Sequence, residues 1–76
     1  MEEFNRSAVG RTIRRLREKK GLSQEVLSGL AGMGRSHLSG IEVGTKQPNF
    51  ETIWRIANAL GIQPHELVKQ IEITGK

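Results

Sequence analysis

Apolar residues recur along this chain at helical spacing in five stretches, separated by glycine, proline or short polar runs. In "SAVGRTIRRLREKKG", Val9, Ile13 and Leu16 fall at i, i+4 and i+7 with basic residues between them. That spacing predicts an amphipathic helix over about Ser7 to Lys20. Gly21 stops it, and Ser23 is placed to cap a second helix with Glu25 in its first turn. There Val26, Leu27, Leu30 and Ala31 share an apolar face expected to point inward. A third helix begins near Arg35, turns Leu38 and Ile41 inward and ends by Gly44. The strongest periodicity follows Asn49, a fitting N-cap: Phe50, Ile53, Trp54, Ile56, Ala57 and Leu60 cover a wide arc before Gly61. Pro64 suits the first turn of a fifth helix carrying Leu67, Val68 and Ile71. No run of alternating β-branched residues interrupts the pattern, which therefore predicts an all-α bundle of five short helices with its core within about residues 7–72.

The segment "GLAGMGRSHLSG", residues 29 to 40, holds four glycines although its apolar residues keep helical spacing. A glycine inside a helix costs roughly 1 kcal/mol against alanine, so each needs a reason. Gly32 falls where the chain turns between the second and third helices, and Gly34 is placed to cap the third. Ser28, Gly29 and Ala31 keep the corner small, as two helices crossing steeply require. Helix, tight glycine turn, helix is the sequence form of a helix-turn-helix, here over about residues 23–43. Gly40 lies inside the third helix. At about 100° per residue, Leu38, Ile41 and Glu42 take the core side, while Ser36, Ser39, Gly40 and Val43 face outward with Arg35 and His37 on the flanks. An outward face so free of bulk suits close approach to another surface.

Composition narrows the function classes. Seventy-six residues hold no cysteine, so disulfides, thiolate metal sites and thiol nucleophiles are excluded, and a reducing compartment, the cytoplasm, is expected. No apolar run approaches the roughly 18 residues of a membrane span, and the start "MEEFNRS" is acidic rather than a basic leader. The chain is expected to be a single soluble domain that engages no membrane. There are 12 Lys and Arg against 8 Asp and Glu, and the excess lies in residues 1–22, which hold seven bases and three acids. An anionic partner and a merely solvated helix face both account for that charge. No carboxylate pair beside a histidine, phosphate-binding loop or metal-ligand spacing between His37 and His65 marks an enzyme, metal site or cofactor.

The residues "GLSQEVLSGLAGMGRSHLSGIEVGTKQPNFETIWRIANALGI", with "LR" before them, resemble the helix-turn-helix domain of the Cro and phage-repressor (Xre) family. The resemblance runs from about Val9 to Val68. It implies a compact five-helix, lambda-repressor-like DNA-binding domain whose third helix enters the major groove, commonly as a homodimer on palindromic operator DNA. It further implies a phosphate contact for Gln24, base-facing positions for Arg35, Ser36 and Gly40, and DNA contacts in the following loop from Thr45 and Lys46. Backbone amides near Phe50 match a segment that meets phosphate. Arg17 and Glu42 match a buried ion pair, although Arg17 by itself also suits a phosphate. On chemistry, Arg35 is the residue best able to read a base, and Ser36, His37 and Ser39 lie within reach of base or phosphate.

Trp54 sits at core spacing, yet a chain this short can leave it exposed. With Leu67 and Ile71 it forms the expected interface of a homodimer built from the fourth and fifth helices. The expected function is sequence-specific transcriptional regulation. Its setting is either a restriction-modification system, whose controller proteins "SHLSGIEVG" resembles, or a phage or mobile element. An antitoxin-type module that masks a protein partner is the alternative, for which the tail "EITGK" is short.

Overall fold

A computed structural model of the chain describes residues 3–76; Met1 and Glu2 of the acidic start lie outside them. Among the described residues there are five helices and no strand: α1 (Arg6–Lys19), α2 (Gln24–Leu30), α3 (Arg35–Val43), α4 (Phe50–Leu60) and α5 (Pro64–Thr74). The ends follow the local chemistry. Ser23 Oγ accepts from the Val26 N–H at 3.1 Å and Asn49 Oδ1 from the Thr52 N–H at 2.8 Å, satisfying donors that the first turns of α2 and α4 would otherwise leave open. Gly32 turns the chain after α2 with φ at 68°, a left-handed conformation that costs glycine little.

The helices enclose one apolar centre to which all five contribute. Ile13 of α1, Leu27 of α2, Leu38 and Ile41 of α3, Ile56 of α4 and Leu67 of α5 are fully buried. Burial of such side chains contributes about 1.5–3 kcal/mol each. α1 packs along α3 and α5, α2 is held between α3 and α4, and α4 lies on α5. None of the described helices is long and apolar enough to cross a membrane.

Three apolar faces are narrower than their periodicity suggests. On α2 the buried stripe is Leu27, Ser28 and Ala31, and Val26 and Leu30 point into solvent. A helix of seven residues wedged between two neighbours presents only one stripe to them. On α4 the stripe is Ile53, Ile56, Ala57 and Leu60; Phe50 and Trp54 are 82% and 59% exposed. On α5, Leu67 is the fully buried member. Leu67 therefore has no surface to offer a partner chain, which corrects its expected place in a dimer interface. Val68, its exposed neighbour, and half-buried Ile71 keep surface on that side.

Candidate nucleic-acid interface

α3 is mounted on the body of the protein by a polar junction rather than by apolar contact alone. Glu42, on its core side, receives two hydrogen bonds from Arg17 of α1: Nε to Oε2 at 2.7 Å and Nη2 to Oε1 at 3.0 Å. The two side chains are 11% and 2% exposed. Arg17 Nη1 also donates to the Leu22 carbonyl at 2.8 Å, and Gln24 Nε2 to Glu42 Oε1 at 3.0 Å. The Arg17–Glu42 pair thus joins α1, the α1–α2 turn, α2 and α3. A buried ion pair is tolerable only when its remaining polar atoms are satisfied in this way. The guanidinium is held above its ordinary value, chiefly by the hydrogen bond to Glu42, with burial opposing.

The same junction depends on a glycine that the pattern along the chain does not single out. A methyl group at Gly10 of α1 would clash with the Ile41 carbonyl oxygen and lie 2.5 Å from the Glu42 carbonyl oxygen and 2.8 Å from the Glu42 carbonyl carbon. Only a bare backbone lets α1 come so close to α3. The available signal was a glycine in the middle of a strong helix, seven residues before Arg17 and therefore on the same face. At the corner between α2 and α3, Ser28 resolves its own burial, its hydroxyl donating to the Glu25 carbonyl at 3.1 Å.

Outward from this junction, α3 is open. Arg35, Ser36 and Val43 are exposed, and His37, Ser39 and Gly40 half-buried. The first turn of α3 contains no acidic residue and Gly34 supplies no side-chain cap, a start it shares with α1, whereas α2, α4 and α5 carry Glu25, Glu51 and Glu66 in theirs. Carboxylates are favoured at a helix N-terminus and cations disfavoured there. Arg35 thus occupies a position that folding alone does not favour. Thr45 and Lys46 follow in an exposed loop beside α3, while Gln24 is turned inward onto Glu42. Gly40 is not as open as its outward position implies, because the stem of Lys46 lies over it. On α1, Arg14 stands between Gly10 and Arg17 on the stripe next to α3, exposed and loosely paired with Glu18 at 3.3 Å.

These elements do not bring Trp54 and Ile71 into that surface. They lie on the face made by α4 and α5, where Phe50, Ile53, Trp54, Pro64, His65 and Val68 line an open groove of about 280 Å³. A wider groove of about 620 Å³ continues past Val68 and Ile71 toward Phe4. Among the described residues, no group of histidines and carboxylates is arranged to hold a metal ion.

The profile of the family described as helix-turn-helix matches residues 13–67, from the middle of α1 to α5. The chain belongs to the helix-turn-helix family. Within it the protein is of the Xre type. It is 38% identical to the transcriptional regulator y4dJ of Sinorhizobium fredii over 69 residues, 91% of this chain and 90% of that one. It is 36% identical to the control protein C.BamHI of Bacillus amyloliquefaciens, over 83% of this chain and 79% of that one. Among solved structures it is similar to the restriction-modification controller protein C.AhdI of Aeromonas hydrophila. The TM-score is 0.78 and the identity 42%, covering 82% of this chain and 94% of that one. This helix-turn-helix protein is a transcriptional regulator with a DNA-binding domain close to those of restriction-modification controllers.

Proposed function

We propose that the helix-turn-helix protein binds a palindromic operator as a homodimer in the cytoplasm, α3 entering the major groove, and controls a restriction-modification system. The whole chain acts as one domain, without cofactor or catalysis. The observation that carries the proposal is the contrast between the two sides of α3. Its inner side is fixed by the Arg17–Glu42 pair, and its outer side is exposed and presents Arg35 at a helix start without an acid. An exposed cation at the start of α3 is available to an external anion or acceptor, and a rigid helix delivers it to a defined place. The relationship to C.BamHI and C.AhdI supports the restriction-modification setting.

In this reading Arg35 bonds guanine O6 and N7, worth about 1–3 kcal/mol of discrimination. Ser36, His37 and Ser39 add contacts to neighbouring bases or phosphates. Thr45, Lys46 and the first amides of α4 near Phe50 meet the backbone, and Gln24 offers phosphate the amide hydrogen that Glu42 does not use. Phe50, Trp54, Val68 and Ile71 pair across a two-fold axis, because apolar side chains this exposed on one face favour a second apolar surface. Selection from a random duplex pool at two salt concentrations tests the proposal. The expected result is a palindromic consensus above a salt-sensitive background. Retention that disappears with salt and leaves no consensus would refute it.

A further inference from the structure

The loop after α3 folds back onto the helix it leaves. The Gly40 carbonyl oxygen accepts from the N–H groups of Gly44, Thr45 and Lys46 at 3.1, 3.0 and 3.1 Å, and from Thr45 Oγ1 at 3.2 Å. Four donors converging on one carbonyl fix the start of the loop to the last turn of α3. The same path lays the Lys46 stem across Gly40. A methyl group added there would meet Lys46 Cδ at 3.1 Å, Lys46 Cγ at 3.2 Å and Thr45 Oγ1 at 3.3 Å. Gly40 shares the outward arc of α3 with Ser36 and Val43, so the missing side chain is what allows Lys46 to lie against that face. Among the described residues Lys46 takes part in no ion pair, and its ammonium is left to an anion from outside.

We propose that Gly40 is a positioning residue for Lys46: its bareness seats the lysine stem on α3 and aims the ammonium at a DNA phosphate beside the recognition helix. The glycine acts through Lys46 and not by admitting a base edge to the helix. Lysine loses much rotamer freedom when fixed, and a stem already packed on the helix has lost part of it before DNA arrives. This inference rests on the DNA-binding reading above and names the group that uses the gap in α3.

The test is a salt titration of binding to the duplex selected by the wild-type protein, with Gly40→Leu, Gly40→Ala, Lys46→Ala and the Gly40→Leu/Lys46→Ala double variant. The Gly40 variants are expected to fold, since larger residues favour helix over glycine and the group they displace is mainly a flexible stem; thermal melts check this. Loss of one phosphate contact makes the slope of log K against log salt shallower by about 0.9 per subunit. Lys46→Ala is expected to show that change, Gly40→Leu a comparable one and Gly40→Ala a smaller one. The double variant shows it once, with Gly40→Leu costing less than twofold in the Lys46→Ala background. If Gly40→Leu instead weakens binding at an unchanged slope, by the same factor in both backgrounds, the bare face meets bases directly and the proposal is overturned. A wild-type protein that selects no duplex overturns the DNA-binding reading, and the role of Gly40 with it. The wild-type measurement separates the two failures.

Discussion

The junction of α1 with α3 and the face shared by α4 and α5 are built on opposite rules. At the first, a glycine brings two backbones into contact, and a buried arginine and glutamate satisfy each other within hydrogen-bond distance. At the second, two aromatic side chains stand in solvent above an open groove. A buried charge pair does not generally stabilise more than apolar packing does; what it supplies here is a fixed geometry for α3. An exposed aromatic pair contributes little to a monomer and much to an interface. One region is complete within the chain, and the other leaves apolar side chains open to solvent.

The sharpest way to break this contrast is Glu42→Ala. It leaves Arg17 buried without a counter-charge and Gln24 without its acceptor, and is expected to cost about 3–5 kcal/mol in a denaturant melt. Replacing both partners, Arg17→Met with Glu42→Leu, is expected to recover most of that loss. If the single variant keeps wild-type stability, the junction does not hold α3. Gly10→Ala follows, with an expected loss of about 3 kcal/mol, because its methyl group meets carbonyl groups of α3 that cannot move independently. The titration of Arg17 offers no gentler probe. Its raised value means that its share of stability is complete below the ordinary arginine value and is lost only as pH rises through the raised one, beyond the range of a folding experiment.

On the other face, Phe50→Ala with Trp54→Ala is expected to leave monomer stability within about 0.5 kcal/mol. The same pair of changes weakens self-association by tenfold or more, read by sedimentation, since buried aromatics dominate interface energies. A wild-type protein that sediments as a monomer at tens of micromolar would remove the distinction between the two regions. The smallest effect concerns a flaw in the interior. Thr12 is fully buried in α1 with no hydrogen-bond partner for its hydroxyl, and Thr12→Val is expected to stabilise by about 1 kcal/mol in the same melt.

Five helices and two of their caps, Ser23 and Asn49, are legible from spacing because each depends on neighbours within one or two turns. The inward side of α3 is legible for the same reason: Leu38, Ile41 and Glu42 fall within one arc. The placement of Val26, Leu30, Phe50 and Trp54 is not, because periodicity records which residues share a side and not whether another helix lies opposite. Gly10 shows in the sequence only as a glycine inside a strong helix, and its role is hidden for a related reason. A close approach belongs to two backbones, and nothing in α1 alone says that α3 passes over it. The seating of Lys46 on Gly40 needs the path of a loop, which turn composition does not fix. Among residues expected to face DNA, the exposure of Arg35 and Ser36 follows from α3 itself, while the inward turn of Gln24 follows from where Glu42 ends up.

The most direct measurement is selection from a random duplex pool with the wild-type protein and Arg35→Ala side by side. The expected result is a palindrome for the wild type and, for the variant, the same palindrome relaxed at one symmetric pair of positions, with about 1–3 kcal/mol of discrimination lost there. An identical consensus from both proteins, or none from the wild type, would contradict recognition through the outer face of α3.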